Sequence, residues 1–433
     1  MRTSIANFLL TLSLFASTVF FLIIPLFGLS YLGSEDSPLY MITIVSLSLF
    51  SMSYIIAYEF SNSKKAFGTI LPYFFPIVVL LIYIIESALY MDMGKLSLKM
   101  LNLFFANSVP SIFIANYVCR YNKLGEILKN FEIIAIFSSI GLIYSLPSMY
   151  MMVDYDTSIG GGGGHQTISY GGAICFCYFF INTFGSNTQY RYHFLCNKII
   201  YVIEIVLMVA TAGICIIGGG RGGAVLLVTN LILSSIIIFR KYIWRTIILS
   251  TLIVGLFYFL FSLPLFSDNM ISEMFTKGME RSFSYISDTG SIDMSQTSER
   301  DVVYQGLFKL IDNMPINGYG FFHLYEVCER TIQQHYPHNI FFEMLLQGGY
   351  LLFMVICFFF VRFINNLYNF LKISDMSACV LPFITYPLVE LLFSGTYIKS
   401  ALFWFTIVYI FNYKKNKHKI YDSKNGLISS SIS

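Results

Sequence analysis

Long apolar runs separated by short polar interruptions fill most of the chain. Runs of about 17–25 apolar residues are long enough to cross a hydrocarbon core of about 30 Å as helices. Twelve spans are expected, near residues 7–30, 38–60, 67–91, 97–119, 130–150, 168–186, 199–218, 222–240, 244–263, 339–364, 376–394 and 398–413. The runs do not alternate apolar and polar positions, which argues against a transmembrane β-barrel. The first, IANFLLTLSLFASTVFFLIIPLFGL, lacks a small-residue cleavage site and reads as a retained span rather than a signal peptide. The expected fold class is an all-α polytopic membrane protein of about 12 transmembrane helices with one large extramembrane loop containing short helices.

That loop, residues 264–337, divides the chain into spans one to nine (1–263), the loop itself, spans ten to twelve (338–413) and a polar tail (414–433). Loops longer than about 12–15 residues are usually functional or disordered, and this one carries helix signals. In SERDVVYQGLFKLIDNM, Ser298 precedes Asp301 by three positions, as at a capped helix start. Val303, Leu307, Leu310 and Ile311 then form a helical stripe, and PINGYG ends it with Pro315, Gly318 and Gly320. Short helices lying on the membrane surface are expected. No repeat of 20–50 residues is present. The run GGGGGHQ, Gly160 to Gln166, reads as a connection before span six, and the tail after Lys414 as a disordered cytoplasmic anchor.

Composition agrees: 56% of the 433 residues are hydrophobic, 12% are charged and the mean hydropathy is +0.68. The net charge of +3 matters less than its distribution. Lys and Arg collect in one set of short connections: Arg2, Lys64/Lys65, Arg120/Lys123/Lys129, Arg191/Lys198, Arg240/Lys241/Arg245, Arg362/Lys372 and Lys414 onward. By the positive-inside bias both termini are cytoplasmic, and the 264–337 loop and Arg221 face the other side. Eight cysteines form no CxxC and suggest no disulfide or zinc site; they read as small packing residues.

Arg221 stands in GICIIGGGRGGAVLLV, three glycines before it and two after, at the start of span eight. Free N–H groups and the dipole at a helix N-terminus favour an anion, and glycines would let a phosphate approach the backbone. The alternative is an arginine reaching lipid headgroups. The string is not a phosphate-binding Walker loop, since no Lys-Ser/Thr pair follows. Arg300, in TSERD, falls in the first turn of the loop helix, where Glu299 and Asp301 offer a local ion pair instead. His338, in YPHNIFFEMLLQGGY, precedes span ten, where a neutral imidazole could act as general base or simply cap the helix. Together the three describe a site for a phosphorylated substrate that loses a proton during reaction. Lys277, Arg281, Arg330, His323 and His335 add positive potential, and Glu326 and Glu329 are alternative bases. Glu86 and Glu390 are candidates because intramembrane ionisable residues are commonly functional. An ion pair of Glu390 with Lys399, closing the last hairpin, is the simpler reading. Glu204 and Arg362 are expected to snorkel at cytoplasmic ends.

The order of these motifs resembles the O-antigen polymerase/ligase superfamily of bacterial membrane glycosyltransferases. The segments that carry the resemblance are Gly220-Arg221-Gly222, Ser298-Glu299-Arg300, Pro315 with Gly318 and Gly320, and His338-Asn339 followed by Gly349. It covers mainly residues 210–365, and Leu352 stands where a second small residue is often found. The resemblance implies an enzyme in the bacterial inner membrane with its active site and large loop periplasmic. It implies a donor glycan carried on undecaprenyl pyrophosphate, with membrane lipids and a chain-length regulator protein as further partners and no nucleic acid. It implies no cofactor and no metal. Arg221 and Arg300 would neutralise the leaving pyrophosphate, and His338 would orient or deprotonate the acceptor hydroxyl. Gly222, Asn339, Arg281, Glu329 and Arg330 complete the candidate pyrophosphate- and glycan-binding set. Leu352 favours a polymerase of repeat units over a ligase that moves polymer to the lipid A core. A lipid-linked oligosaccharide flippase is the rival from another class.

Overall fold

The computed structural model describes residues 2–28, 37–62, 71–146, 165–185, 190–239, 244, 248, 270–283, 300–373 and 377–413. Within them every regular element is helical. In chain order these are α1 (Arg2–Leu14), α2 (Ala16–Ile23), α3 (Pro38–Asn62), α4 (Leu71–Leu89), α5 (Lys95–Leu103), α6 (Val109–Tyr121), α7 (Leu124–Tyr144) and α8 (His165–Phe184). There follow α9 (Lys198–Ile217), α10 (Arg221–Ile238), α11 (Met270–Phe283), α12 (Arg300–Asp312), α13 (His323–Ile332), α14 (Ile340–Ile373), α15 (Ser377–Phe393) and α16 (Ala401–Tyr413).

Among the described residues seven helices are long and apolar enough to cross a membrane, eight if the bent pair α1–α2 is one span. Shorter apolar helices, Phe74–Leu89, Ala378–Phe393 and Ala401–Tyr413, stand where three more spans are expected. Of the predicted span 244–263 only Trp244 and Ile248 lie within the described residues. Among the described residues, seven or eight of the twelve expected spans thus meet the length that a span requires.

Two predicted spans are not straight. Between α1 and α2 the chain turns by 88°. Phe15 leaves helical geometry there (φ −110°, ψ 11°). Its ring stacks on Phe131 at 4.3 Å and meets Phe383 edge-on at 5.1 Å, so the bend drives an aromatic wedge into the core. The second break is inside α14, at Gly349 (φ 66°, ψ −176°). A uniform apolar run does not announce either break, because hydropathy counts residues and is blind to backbone direction.

Helix α8 and the rod Lys95–Tyr121 are central, 78% buried along their most apolar windows, whereas α14 is 17% buried along its own. An all-apolar sequence suits both positions: α8 packs Phe179 and Phe180 in the core, while α14 turns Leu351, Met354 and Phe358 outward as a lipid-facing surface would require. Helix α8 packs on α9, α10 and α15, and α11 lies across α9, where Gly278 meets the backbone of Ile216 and Ile217. All eight cysteines are free, five of them buried.

Charged groups from several connections meet at two places in the described residues. At one, Arg120 meets Glu59 at 3.5 Å, and Arg191 meets Glu132 at 2.6 Å and Glu204 at 2.8 Å. Glu204 does not snorkel: it and Glu132 are fully buried, bridged by one guanidinium. Burying a carboxylate is tolerable only with such a partner. The other collects the α4–α5 turn, the α9–α10 turn, residues 394–400 and helices α11 to α13.

Candidate functional site

The turn carrying Arg221 is built by packing. Helix α9 ends at Ile217, Gly219 takes a positive φ of 63°, Gly220 is the N-cap of α10 and Arg221 is its first residue. The N–H of Gly220 donates to Ser169 Oγ at 2.8 Å. A methyl group at Gly223 would collide with Ser169, and one at Gly222 with Tyr170 Oη. The glycines thus let α10 start against α8, with the space in their Cβ directions filled by Ser169 and Tyr170. The predicted position of Arg221 at a helix N-terminus is as expected, and its side chain is half-buried.

His338 also sits where a helix begins. It takes a left-handed backbone (φ 55°), uncommon for a non-glycine residue. Its Nε2 lies 3.2 Å from Gln334 Oε1, and its ring is 4.4 Å from that of Tyr336. Asn339 caps α14, its Oδ1 accepting from the N–H of Phe341 at 2.9 Å and of Phe342 at 3.4 Å. An Asn before an apolar run signals that role in the sequence. The Tyr336 hydroxyl donates to the Ser394 carbonyl at 2.8 Å, and Ser394 Oγ donates to Tyr170 Oη at 3.1 Å. Ser394 therefore joins the segment before His338 to the side of α8 on which the Arg221 turn rests.

PINGYG and Gly349 form one unit. The break at Gly349 frees carbonyls of α14; Tyr319 N–H donates to Leu346 O at 2.7 Å and Gly320 N–H to Gln347 O at 3.0 Å. Gly318 and Gly320 have φ of 73° and 93°, and a methyl at Gly318 or Gly349 would strike the backbone of the other strand. Below lies a polar network: Glu343 accepts from Tyr325 and Thr396 hydroxyls, each at 2.5 Å, and Gln347 Nε2 donates to Phe321 O at 2.9 Å. The predicted stripe of α12 is correct, since Val303, Leu307 and Leu310 are buried against Leu324, Cys328 and Leu346. Ser298 and Glu299 lie outside the described residues, as do the side chains of Arg281, Arg300 and Asp301.

Helix α13 is docked on the α4–α5 hairpin. Glu86 accepts from the N–H groups of Phe321 (2.6 Å), Phe322 (2.8 Å) and His323 (3.3 Å). Glu326 accepts from those of Gly94 (2.9 Å), Leu96 (3.1 Å) and Ser97 (3.0 Å). Both carboxylates are thus committed to capping helix starts, which accounts for Glu86 without a catalytic role and occupies Glu326. Asp92 meets Arg330 at 2.5 Å and His323 at 3.0 Å; the Arg330 hydrogen bond first, and His323 with it, hold its carboxyl below the usual range. Glu329 pairs with His335 at 2.8 Å. Arg330 and Glu329 therefore make intramolecular contacts at the rim. Among the described residues no cluster of His, Cys, Asp and Glu could hold a metal ion.

Beside Ser394 opens a cavity of about 170 Å³. Tyr170, Tyr336, Tyr386, Glu390 and Lys399 line it together with Ser17, Thr18 and Asn107. Glu390 Oε1 accepts from the Tyr386 hydroxyl at 3.3 Å, and Lys399 Nζ stands 6.0 Å over the Tyr336 ring. The three tyrosines escaped sequence reasoning. The Tyr386/Glu390 spacing of four, one face of a helix, is a signal that could have found Tyr386 alone. Arg221 and His338 lie outside its lining; His338 is two residues from Tyr336, which lines it, and Gly222, beside Arg221, packs against Tyr170, which lines it.

Residues 206–370 match a family model described as O-antigen ligase. The match runs from within α9 to most of α14 and takes in the whole large loop. No curated protein matches the chain.

Proposed function

We propose that this chain, whose residues 206–370 carry the match to the O-antigen polymerase/ligase superfamily, joins oligosaccharide repeat units carried on undecaprenyl pyrophosphate at the periplasmic face of the bacterial inner membrane. The observation that carries the reading is the convergence at Ser394. It ties the Tyr336–His338 segment to Tyr170, against which the Arg221 turn rests, beside a polar cavity. An acceptor sugar hydroxyl attacks the anomeric carbon of the donor. A new C–O bond forms, the bond from that carbon to the phosphate oxygen breaks, and the pyrophosphate leaves with the electron pair. Arg221, aided by the N–H groups of the first turn of α10, stabilises that charge as it develops, together with Arg300. His338 takes the hydroxyl proton. Gly222 and Asn339 shape the backbone at these two helix starts, and Arg281, Glu329 and Arg330 lie on the periplasmic helices that bound the glycan. The leaving group is already activated, so neither a metal nor a cofactor enters the scheme.

The description of the matching family favours a second reading, the ligase that transfers finished polymer to the lipid A core. Leu352, which packs over Gly348, remains the reason to prefer the polymerase. Nothing supports the flippase. Deleting the gene and resolving the surface polysaccharide on a gel tests all three. Loss of a polymerase leaves core bearing a single repeat unit. Loss of a ligase leaves bare core with polymer stranded on its lipid, and loss of a flippase traps repeat units inside.

A further inference from the structure

The cavity beside Ser394 is built from backbone irregularities. Ser17 and Thr18 reach it because the chain turns at Phe15. Asn107 reaches it from a π-helical turn, Phe104–Ser108, that interrupts the rod between α5 and α6. The turn after α15 adds Ser394 to Ser400, and the regular helices α8 and α15 supply Tyr170, Tyr386 and Glu390. Breaks of this kind inside a membrane bundle persist where they line a cavity, and π-turns recur at functional sites. The lining is polar in a chain that is 56% hydrophobic.

Its chemistry selects an occupant. An acyl chain is disfavoured by the hydroxyls, amides and charges. A pyrophosphate is disfavoured by the Glu390 carboxylate, since like charges in a confined site repel. A pyranose ring suits it. Its hydroxyls could donate to Glu390 and accept from Lys399, and its C–H faces could lie on the rings of Tyr170, Tyr336 and Tyr386, which line the cavity. At about 170 Å³ it lies below the roughly 300–1,000 Å³ of pockets for drug-sized ligands, so one ring is the match.

We propose that this cavity is the subsite for the acceptor sugar, one uncharged pyranose ring held by Glu390, Lys399 and the three tyrosines. The proposal rests on the glycosyl-transfer reading and assigns the donor pyrophosphate to the Arg221 side of Tyr170. Glu390 accepts the hydrogen bond of a ring hydroxyl and sets which hydroxyl faces the donor.

The test is saturation-transfer NMR on the detergent-solubilised full chain. The probes are the methyl glycosides of glucose, galactose, N-acetylglucosamine and rhamnose, with inorganic pyrophosphate as competitor. The expected result is transfer to the ring protons of at least one glycoside, undiminished by pyrophosphate. Binding should weaken about tenfold or more in Glu390→Gln, the loss expected for a charge-assisted hydrogen bond. Absence of transfer to every glycoside, displacement by pyrophosphate, or unchanged binding in a folded Glu390→Gln protein overturns the subsite. The wild-type arms decide the matter even if the variant fails to fold. An unchanged polysaccharide ladder in the deletion strain sinks the transfer reading itself. An altered ladder without glycoside binding sinks the subsite alone.

Discussion

Glu86 and Glu326 cap each other's neighbourhoods: Glu86, on α4, holds three N–H groups at the start of α13, and Glu326, on α13, holds three at the start of α5. This exchange locks the loop helix to the first half of the bundle. Glu86→Ala leaves buried donors unpaired and should cost about 1–3 kcal/mol. Glu326→Ala should cost a similar amount, and the double variant less than the sum, because either change already loosens α13. Thermal unfolding in detergent measures all three; strict additivity would show that the two caps act independently.

The Asp92 contact adds a pH dependence. Its folded carboxyl is held below the usual value, so its contribution is present above the unfolded pKa and is lost as pH falls through the folded one. The stability gap between wild type and Asp92→Asn should therefore be constant near neutrality and close only in acid, below about pH 4. Unfolding midpoints across pH 3–7 check this sign, and a gap that closed as pH rose would contradict it.

Gly349→Ala should be among the most damaging small changes. Its positive φ disfavours a side chain, and the added methyl would strike the Ile316 carbonyl. We expect a loss of at least about 1–2 kcal/mol from backbone strain alone, with less folded protein recovered. Normal thermal stability of Gly349→Ala would mean that the PINGYG contact is dispensable.

Arg191→Ala strands Glu132 and Glu204 together in the interior. Breaking such a pair from one side costs about 3–5 kcal/mol. Adding Glu204→Gln to Arg191→Ala should recover part of the loss, as one buried charge is removed. Recovery is read from detergent unfolding, and none at all would argue against the ion cluster.

At the site, Arg221→Ala and His338→Ala should each lower polysaccharide extension by about a hundredfold or more while the protein still inserts and folds. Normal ladders from both variants would remove these residues from the mechanism.

Local rules made much of this legible. Apolar runs predicted the helices, and the stripe at Val303, Leu307 and Leu310 marked the buried face of α12. Arg221 could be placed at a helix start because glycines interrupt an apolar run there. The capping carboxylates could not be read, since Glu86 and its partners lie more than 230 positions apart. The three tyrosines were invisible as a group for the same reason.

From the order of residues alone follow the helices and the family motifs, because those depend on neighbours within a few turns. Packing decided what the motifs are for. It turned the glycines around Arg221 into a seat for α8, joined PINGYG to the break at Gly349, bent the first span at Phe15, and opened a polar cavity where Tyr170, Tyr336 and Glu390 meet. Each of these needs contacts between segments far apart in the chain, and only the folded bundle supplies them.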